Sequence, residues 1–361
     1  MDIINNNNKI NSKTKNSLSG NFLIDGFGRQ ITYLRISLTD RCNLRCIYCM
    51  PEDGVKLLGH SEMLSYEEIL KFVNILASHG VNKIRITGGE PLVRKGAINF
   101  IENLSSISGI KDISMTTNGI LLDKYAQDLY NAGLKRINIS LDSLNNETFS
   151  KITRGGSIDA VLKGISAAKA VGFYPIKINT VLIRGTNDDE LMNFINFAIE
   201  NELNLRFIEY MPIGQNISQS ITTKELMDKI KADYKDFEAN NISDYSVSKE
   251  YYFSNNKNNK AVIGFISPLS EHFCNDCNRL RLTASGKLRL CLFYDEEYDI
   301  KKILNSSAND EDIYNYLLNL LQKKHQTHLF NNKFNNKSGT NNCSGRINII
   351  EDNTYMNKIG G

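Results

Sequence analysis

The sequence lacks any long hydrophobic run. No stretch of the 361 residues approaches the ~18 consecutive apolar residues that a membrane-spanning helix needs. The first twenty residues are rich in Asn, Ser and Lys, and they contain neither an apolar segment nor an arginine, so neither a secretory signal nor an Arg-rich transit peptide fits. We therefore expect a cytoplasmic protein with no membrane partner.

The chain also lacks a strong charge imbalance and has no tryptophan. Its 43 Lys and Arg residues exceed its 40 Asp and Glu residues by only three. A nucleic-acid-binding protein typically carries a basic surface interleaved with aromatic side chains, which this composition does not support. We expect no nucleic-acid partner, and any functional basic patch must be local.

Cysteine is present, in two tight groups. Six of the seven cysteines form Cys42/Cys46/Cys49 and Cys274/Cys277/Cys291. Because the cytosol keeps thiols reduced, such clustering indicates metal binding rather than a disulfide framework. The seventh, Cys343, is interpreted as an incidental thiol.

Short β-branched runs alternate with amphipathic helical stretches from Gln30 onward, which is typical of parallel βα units. The first helix is predicted to begin at a capping box, Ser65 to Glu68, and to run to Gly80. The six predicted strands are Ile31–Thr39, Lys83–Thr87, Asp112–Thr116, Arg136–Leu141, Ile176–Val181 and Leu203–Glu209.

Within these strands the side chains separate into an apolar and a polar face, because they alternate with period two. In the second strand Ile84 and Ile86 oppose Lys83 and Arg85. An ordinary eight-stranded barrel is filled with Val, Ile and Leu. Inward basic residues on six strands therefore favour an α/β fold with a partial, six-stranded βα barrel that opens onto a large anionic ligand. A doubly wound open sheet with these charges at strand ends is the alternative.

The regular alternation fades after Gly214, which suggests a division of the chain. We predict a disordered polar tail over 1–21, the partial barrel over 22–240, a smaller C-terminal α+β domain over 241–330 that carries the second cysteine group, and a flexible tail over 331–361. The last segment contains an Asn-rich stretch over 331–342 and ends in Gly360-Gly361.

The first cysteine group has the spacing C-x3-C-x2-C and directly follows the first strand. Three thiolates can hold three irons of a [4Fe–4S] cluster and leave the fourth iron open to a ligand. A closed structural zinc site needs four ligands, and His60 is the only further candidate nearby. The spacing favours the cluster over zinc.

The second group again supplies three cysteines. Zinc with His272 as a fourth ligand stays open on spacing alone. Arg279 and Arg281 lie between Cys277 and Cys291, on one face of an extended segment, and arginine forks suit phosphate oxygens.

These motifs resemble the radical S-adenosylmethionine (SAM) superfamily. The resemblance rests on the cysteine spacing with an aromatic residue, Tyr48, before Cys49, and on the turn Gly88-Gly89-Glu90-Pro91 after the second strand. It implies that the open iron binds SAM and that a strong external reductant is needed. SAM contacts are expected at Tyr48, Gly89, Ser140 and Met211.

Residues 22–295 further resemble the GTP 3′,8-cyclase family of molybdenum cofactor biosynthesis, in motif content and order. The resemblance implies two [4Fe–4S] clusters and conversion of GTP to (8S)-3′,8-cyclo-7,8-dihydroguanosine 5′-triphosphate. It implies catalytic roles for Arg279, Arg281, Gly360 and Gly361. The residues expected to hold GTP are Arg35, Lys83, Arg85, Thr116, Lys177, Arg206, Arg279 and Arg281.

The same resemblance implies several partners: a flavodoxin- or ferredoxin-like electron donor, cyclic pyranopterin monophosphate synthase as the next enzyme, and a second copy of the chain in a homodimer. No G-x-x-x-x-G-K-[ST] pattern occurs, which argues against a P-loop GTPase. The alternative is a radical SAM peptide-modifying enzyme with an auxiliary cluster, whose C-terminal domain usually carries more cysteines.

Overall fold

The computed structural model describes residues 21–211, 220–233, 238–240, 248–254, 260–271, 273–328 and 355–359. Most of the two predicted tails, together with His272, Cys343, Gly360 and Gly361, lies outside these ranges. In the described ranges, no helix combines the length and the apolar character required to cross a membrane.

The described chain alternates strands and helices, as the sequence predicts. The strands are β1 (Tyr33–Ser37), β2 (Lys83–Thr87), β3 (Asp112–Thr117), β4 (Arg136–Ser140), β5 (Ile176–Val181), β6 (Asn204–Ile208), β7 (Glu238–Asn240), β8 (Lys249–Ser254), β9 (Lys260–Ile266), β10 (Arg279–Leu282), β11 (Lys287–Arg289) and β12 (Tyr298–Asp299). The helices are α1 (Tyr66–Ser78), α2 (Ala97–Ser105), α3 (Leu122–Asn131), α4 (Asn146–Thr153), α5 (Ile158–Ala170), α6 (Leu191–Glu200), α7 (Thr223–Asp233), α8 (Ile300–Leu304), α9 (Asp310–Leu321) and α10 (Met356–Ile359).

The six predicted strands pair in parallel and in sequential order, from β1 to β6. A doubly wound sheet would reverse its order at a switch point, so the alternative fold is wrong. Because right-handed crossovers in one direction place every helix on the same side, the other face stays open. The partial barrel is thereby confirmed.

Two strands from the C-terminal half extend this sheet, which the sequence does not predict. Strand β10 pairs in parallel with β1, and β9 pairs in parallel with β6. The antiparallel strands β11 and β12 continue beyond β10, and β8 and β7 continue beyond β9. The strands before, between and after the two cysteine groups therefore form one continuous sheet.

The apolar face of the sheet packs under the helices. Ile36, Ile84 and Ile139 are fully buried there. Helix α1 buries Phe72 and its apolar neighbours. Its capping box forms as predicted, because the Ser65 side chain accepts a hydrogen bond from the Glu68 N–H and the Glu68 carboxylate accepts one from the Ser65 N–H. Burial of this face fixes the strand register, since a slip of one residue would expose it.

Register places the polar side chains in rows across the opposite face. Arg35 lies between Arg281 and Arg85, and Tyr33 lies between Arg279 and Lys83. On the far strands Asn138 pairs with Lys177, and Asn179 pairs with Arg206. The basic inner face derived from alternation is therefore continuous from β10 to β6.

The turn after β2 is pressed against the chain that leads into the first cysteine group. The Gly89 N–H donates to the Thr39 carbonyl at 2.6 Å, and the Glu90 N–H donates to the Arg41 carbonyl at 2.8 Å. A Cβ atom on Gly89 would lie 2.3 Å from the Arg41 carbonyl oxygen. Only glycine allows two backbone segments to approach this closely.

We expect Gly89→Ala to lower the free energy of unfolding by about 1 to 3 kcal/mol, because the added methyl group must push the Arg41 backbone away. Gly26→Ala is the matched control, since its Cβ would meet Gln322 at an ordinary 3.4 Å. Urea denaturation of both variants measures the difference. Equal stability of the two variants would contradict this account of the turn.

Candidate active site

Five cations gather around Tyr33 at one end of the inner face. The Tyr33 ring has Lys83 at 5.7 Å, Arg85 at 5.8 Å and Arg279 at 5.7 Å from its centroid. Burial would raise the pKa of the Tyr33 phenol, but the neighbouring cations, Arg85 foremost, outweigh burial and lower it. Arg35 and Arg281 complete the group in the adjoining row. We call these five residues and Tyr33 the cation cluster.

Like charges in the cation cluster repel one another. Burial, and then the charge of Arg281, lowers the pKa of Arg35 well below its usual value. Burial and the charge of Arg279 lower the pKa of Arg281 to about 10. Three ion pairs relieve the charge on this face: Asp112 pairs with Lys83 at 3.4 Å and with Arg136, and Glu250 pairs with Arg206 at 3.1 Å. The remaining excess of positive charge favours an anionic ligand.

Several buried polar atoms on the same face have no hydrogen-bond partner among the described residues. They are the Tyr33 hydroxyl, Thr116 Oγ1, Asn138 Oδ1, Asn179 Oδ1 and Arg279 Nε. A buried polar atom left without a partner costs about 1 to 3 kcal/mol. Such atoms on a face that is already basic indicate a surface shaped for a polar ligand.

Lys177 and Arg206 form the far wall of this face. Burial, followed by the charge of Arg206, lowers the pKa of Lys177 to about 8. Arg206 also has a lowered pKa, because burial outweighs its pairing with Glu250. Both cations are therefore held in a state that an added anion would stabilise.

The first cysteine group occupies the loop that follows β1, beside the glycine turn. The Cys42 sulfur accepts from the Leu44 N–H at 3.4 Å, and Arg154 holds the loop by donating to the Arg45 and Met50 carbonyls at 3.0 Å each. The Asn357 N–H of α10 donates to the Cys49 thiol, whose pKa burial raises to about 12. Burial also raises the pKa of Cys46, and the other two cysteines add to that effect.

The three thiols thus lie close enough for their charges to interact, and Cys42 and Cys49 accept backbone N–H groups, which suits anionic thiolates bound to iron. Among the described residues, no group of three or more His, Cys, Asp and Glu side chains is arranged to hold a single metal ion. His60, the fourth ligand of the zinc alternative, is exposed.

The second cysteine group lies at the start of β10 and after β11. Its sulfurs also accept backbone N–H groups: Cys274 from His328, Cys277 from Arg279, and Cys291 from Phe293. Burial would raise the pKa of the Cys277 thiol, but Lys324 and then Arg279 outweigh burial and lower it. A thiol set surrounded by N–H donors and cations fits an anionic iron–sulfur cluster.

The structure places the predicted SAM residues around the first loop and the barrel rim. Gly89 lies in the turn against the loop, and Ser140 ends β4 opposite Asn179. The Tyr48 hydroxyl donates to Asp142 at 2.6 Å. Met211 packs against the small cluster of Leu269 and Phe293, against which Cys291 also packs. Gly360, Gly361 and His272 lie outside the described residues.

Sequence reasoning missed several side chains of this region. Glu90 accepts from Thr117 and Asn118 at 2.8 Å each, and burial raises its pKa to about 7. Burial likewise raises the pKa of Asp142 to about 6. Both carboxylates follow strands directly, and that position could have drawn attention to them. Lys324 follows a helix, and no local pattern singles it out.

Comparisons with known proteins agree with this geometry. Residues 36–198 match the family described as the Radical SAM superfamily, and residues 203–330 match the family described as Molybdenum Cofactor Synthesis C. The GTP 3′,8-cyclase of Thermodesulfovibrio yellowstonii is 52% identical over 84% of this chain and 94% of its own length. That of Peptoclostridium acidaminophilum is 45% identical over 85% of this chain and 93% of its own length.

A solved structure shares the fold. Streptococcus suis SuiB bound to S-adenosylmethionine superposes with a TM-score of 0.59 and 14% sequence identity, over 86% of this chain and 76% of SuiB. At that identity the likeness concerns the fold alone. The two GTP 3′,8-cyclases are far more similar in sequence, and their alignments with this chain cover nearly the full length of each relative. The chain therefore belongs to the GTP 3′,8-cyclase family of the radical SAM superfamily.

Proposed function

We propose that this protein is a radical SAM GTP 3′,8-cyclase that converts GTP to (8S)-3′,8-cyclo-7,8-dihydroguanosine 5′-triphosphate in molybdenum cofactor biosynthesis. The cation cluster is the observation that carries the proposal. It places five buried or half-buried cations on one barrel face, between the two cysteine groups. A triphosphate supplies the negative charge that this face lacks, and arginine forks match phosphate oxygens.

The family membership implies SAM and a [4Fe–4S] cluster. We assign that cluster to Cys42, Cys46 and Cys49, with SAM at its open iron and against Tyr48, Gly89, Ser140 and Met211. We assign a second [4Fe–4S] cluster to Cys274, Cys277 and Cys291. When bound, the first cluster and SAM supply the one-electron chemistry of the superfamily.

The protein's own residues bind, orient and shield the substrate. Arg35, Lys83, Arg85, Arg279 and Arg281 hold the phosphates, with Lys177 and Arg206 on the opposite wall. Hydrogen bonds to the nucleoside can come from Thr116 Oγ1, Asn138 Oδ1 and Asn179 Oδ1, which lack a partner among the described residues. These contacts would fix ribose C3′ and guanine C8, the two atoms that become joined, in one orientation.

Several finer assignments rest on the family resemblance. They are the terminal Gly360-Gly361 in the active site, the flavodoxin- or ferredoxin-like electron donor, cyclic pyranopterin monophosphate synthase as the following enzyme, the homodimer and the cytoplasmic location. The peptide-modifying alternative loses its support, because the relatives that match most of the chain are GTP 3′,8-cyclases.

We expect Arg279→Ala to weaken GTP binding about 10- to 100-fold, which corresponds to a charge-assisted hydrogen bond of about 1.5 to 3 kcal/mol. SAM binding should change little. Without ligand the variant should be as stable as the wild type or more stable, because burial destabilises the Arg279 cation. Isothermal titration with each ligand and thermal unfolding without ligand give these values.

Arg184→Ala is the matched control, since Arg184 is half exposed and pairs with Glu225 at 2.8 Å away from the inner face. It should leave GTP affinity unchanged. Equal losses of GTP and SAM affinity in Arg279→Ala would remove Arg279 from the triphosphate site.

GTP affinity should also depend on pH through Lys177. In the free protein its pKa is about 8, whereas a bound triphosphate would raise that pKa by stabilising the ammonium form. The charge is complete below pH 7 and is lost as the pH rises, so the Kd for GTP should increase by up to about tenfold per pH unit above 8.

Titrations between pH 7 and 9 test this dependence. Lys177→Arg is the control, because arginine keeps its proton throughout this range. Its Kd should stay flat. A wild-type Kd that is independent of pH would place Lys177 away from the phosphates.

A further inference from the structure

Lys324 is a buried cation beside the second cysteine group. It lies three residues beyond α9 and is only 3% exposed. Its ammonium donates to the Arg279 carbonyl at 3.1 Å and to the Leu290 carbonyl. Arg279 is two residues from Cys277, and Leu290 precedes Cys291. Lys324 therefore ties together the two segments that carry these cysteines.

No carboxylate forms an ion pair with Lys324 among the residues that the structure describes. Arg289 in the adjacent strand is equally buried, yet it has Glu297 at 3.0 Å and Asp295 at 3.5 Å. Arg29, which donates to the Cys274 carbonyl at 2.7 Å, pairs with Asp25 at 2.6 Å. Lys324 is thus, together with Arg279, a cation near this group that pairs with no carboxylate in the described part of the chain.

A buried ion without a counter-charge costs several kcal/mol. The charge of Lys324 acts on Cys274, Cys277 and Cys291. A [4Fe–4S] cluster held by three thiolates is a net anion, and reduction adds one more negative charge. The cluster of the proposed function would therefore complete the charge balance around Lys324.

We propose that Lys324 is a positioning residue for the second cluster. The cluster supplies the counter-charge of Lys324, and the charge of Lys324 raises the reduction potential of the cluster. This inference rests on the proposed function, since it requires a cluster at Cys274, Cys277 and Cys291. Net charge and hydrogen bonding to the sulfurs are the means by which a protein sets such potentials. The charge of a cation that is fixed by two carbonyls and shielded from water is screened less than that of a cation in solvent.

The test uses full-length protein in which Cys42, Cys46 and Cys49 are replaced by Ala, so that only the second cluster remains. This background should hold about four irons. Adding Lys324→Met removes the charge and keeps the stem. We expect the cluster to become at least about tenfold harder to reduce, a shift of about 59 mV or more for a one-electron couple. Potentiometric titration followed by electron paramagnetic resonance measures the shift.

Lys323→Met is the matched control, because Lys323 is exposed next to Lys324 and lies 5.4 Å from the Tyr298 ring. It should leave the potential unchanged, and Lys324→Arg should restore it. If Lys324→Met loses its iron instead, the thermal unfolding temperature of the iron-free variant is compared with that of the iron-free background. Unfolding at the same temperature as the iron-free background supports the inference, because the cation then matters only to the cluster.

Three results would overturn the inference. They are an unchanged potential in Lys324→Met, equal shifts in the Met and Arg variants, and a Lys324→Met variant that is destabilised without iron. If the background itself binds no iron, the second cluster of the proposed function is wrong, and the inference fails with it. Iron analysis before the titration separates that outcome from a failure of Lys324 alone.

Discussion

Burial of mutually repelling cations dominates the energetics of the inner face of the sheet. Arg35, Arg281 and their neighbours are held close together on the inner face of the sheet, where burial and like charge both lower their pKa values. Folding sustains this cost because the opposite face buries a continuous apolar core under the helices. The protein is therefore built around a region that an anion stabilises, and binding energy is available there to position a substrate before any bond changes.

The sheet extension explains how one anion can lie between the two cysteine groups. Strand β10 brings Arg279 and Arg281 beside β1, and the same strand begins just after Cys277. The loop that follows β1 carries the first cysteine group. The second cysteine group thus lies at the start of β10 and the first lies beyond the end of the adjacent parallel strand β1, with the cation cluster between them. Lys324 fits this plan, since its ammonium joins the β10 and β11 ends through the carbonyls of Arg279 and Leu290.

Much of this arrangement could be predicted from the sequence, because it follows from local periodicity. The alternation of Ile84 and Ile86 with Lys83 and Arg85 already separates the core from the basic face, and the predicted bounds of β2 and β5 match the structure. The pairing of β10 with β1 could not be predicted in this way. It joins residues almost 250 positions apart, and no local pattern encodes such a contact. The same holds for Lys324, whose proposed role depends on carbonyls and thiols that surround it only in three dimensions.

In the proposed function, GTP is held on the basic face with its ribose C3′ presented to SAM. GTP carrying deuterium at C3′ can be supplied to the anaerobic, reconstituted protein with SAM and dithionite, and the products followed by mass spectrometry. We expect deuterium in 5′-deoxyadenosine together with a cyclised product derived from GTP. Deoxyadenosine without deuterium, and with GTP recovered intact, would contradict the proposed function.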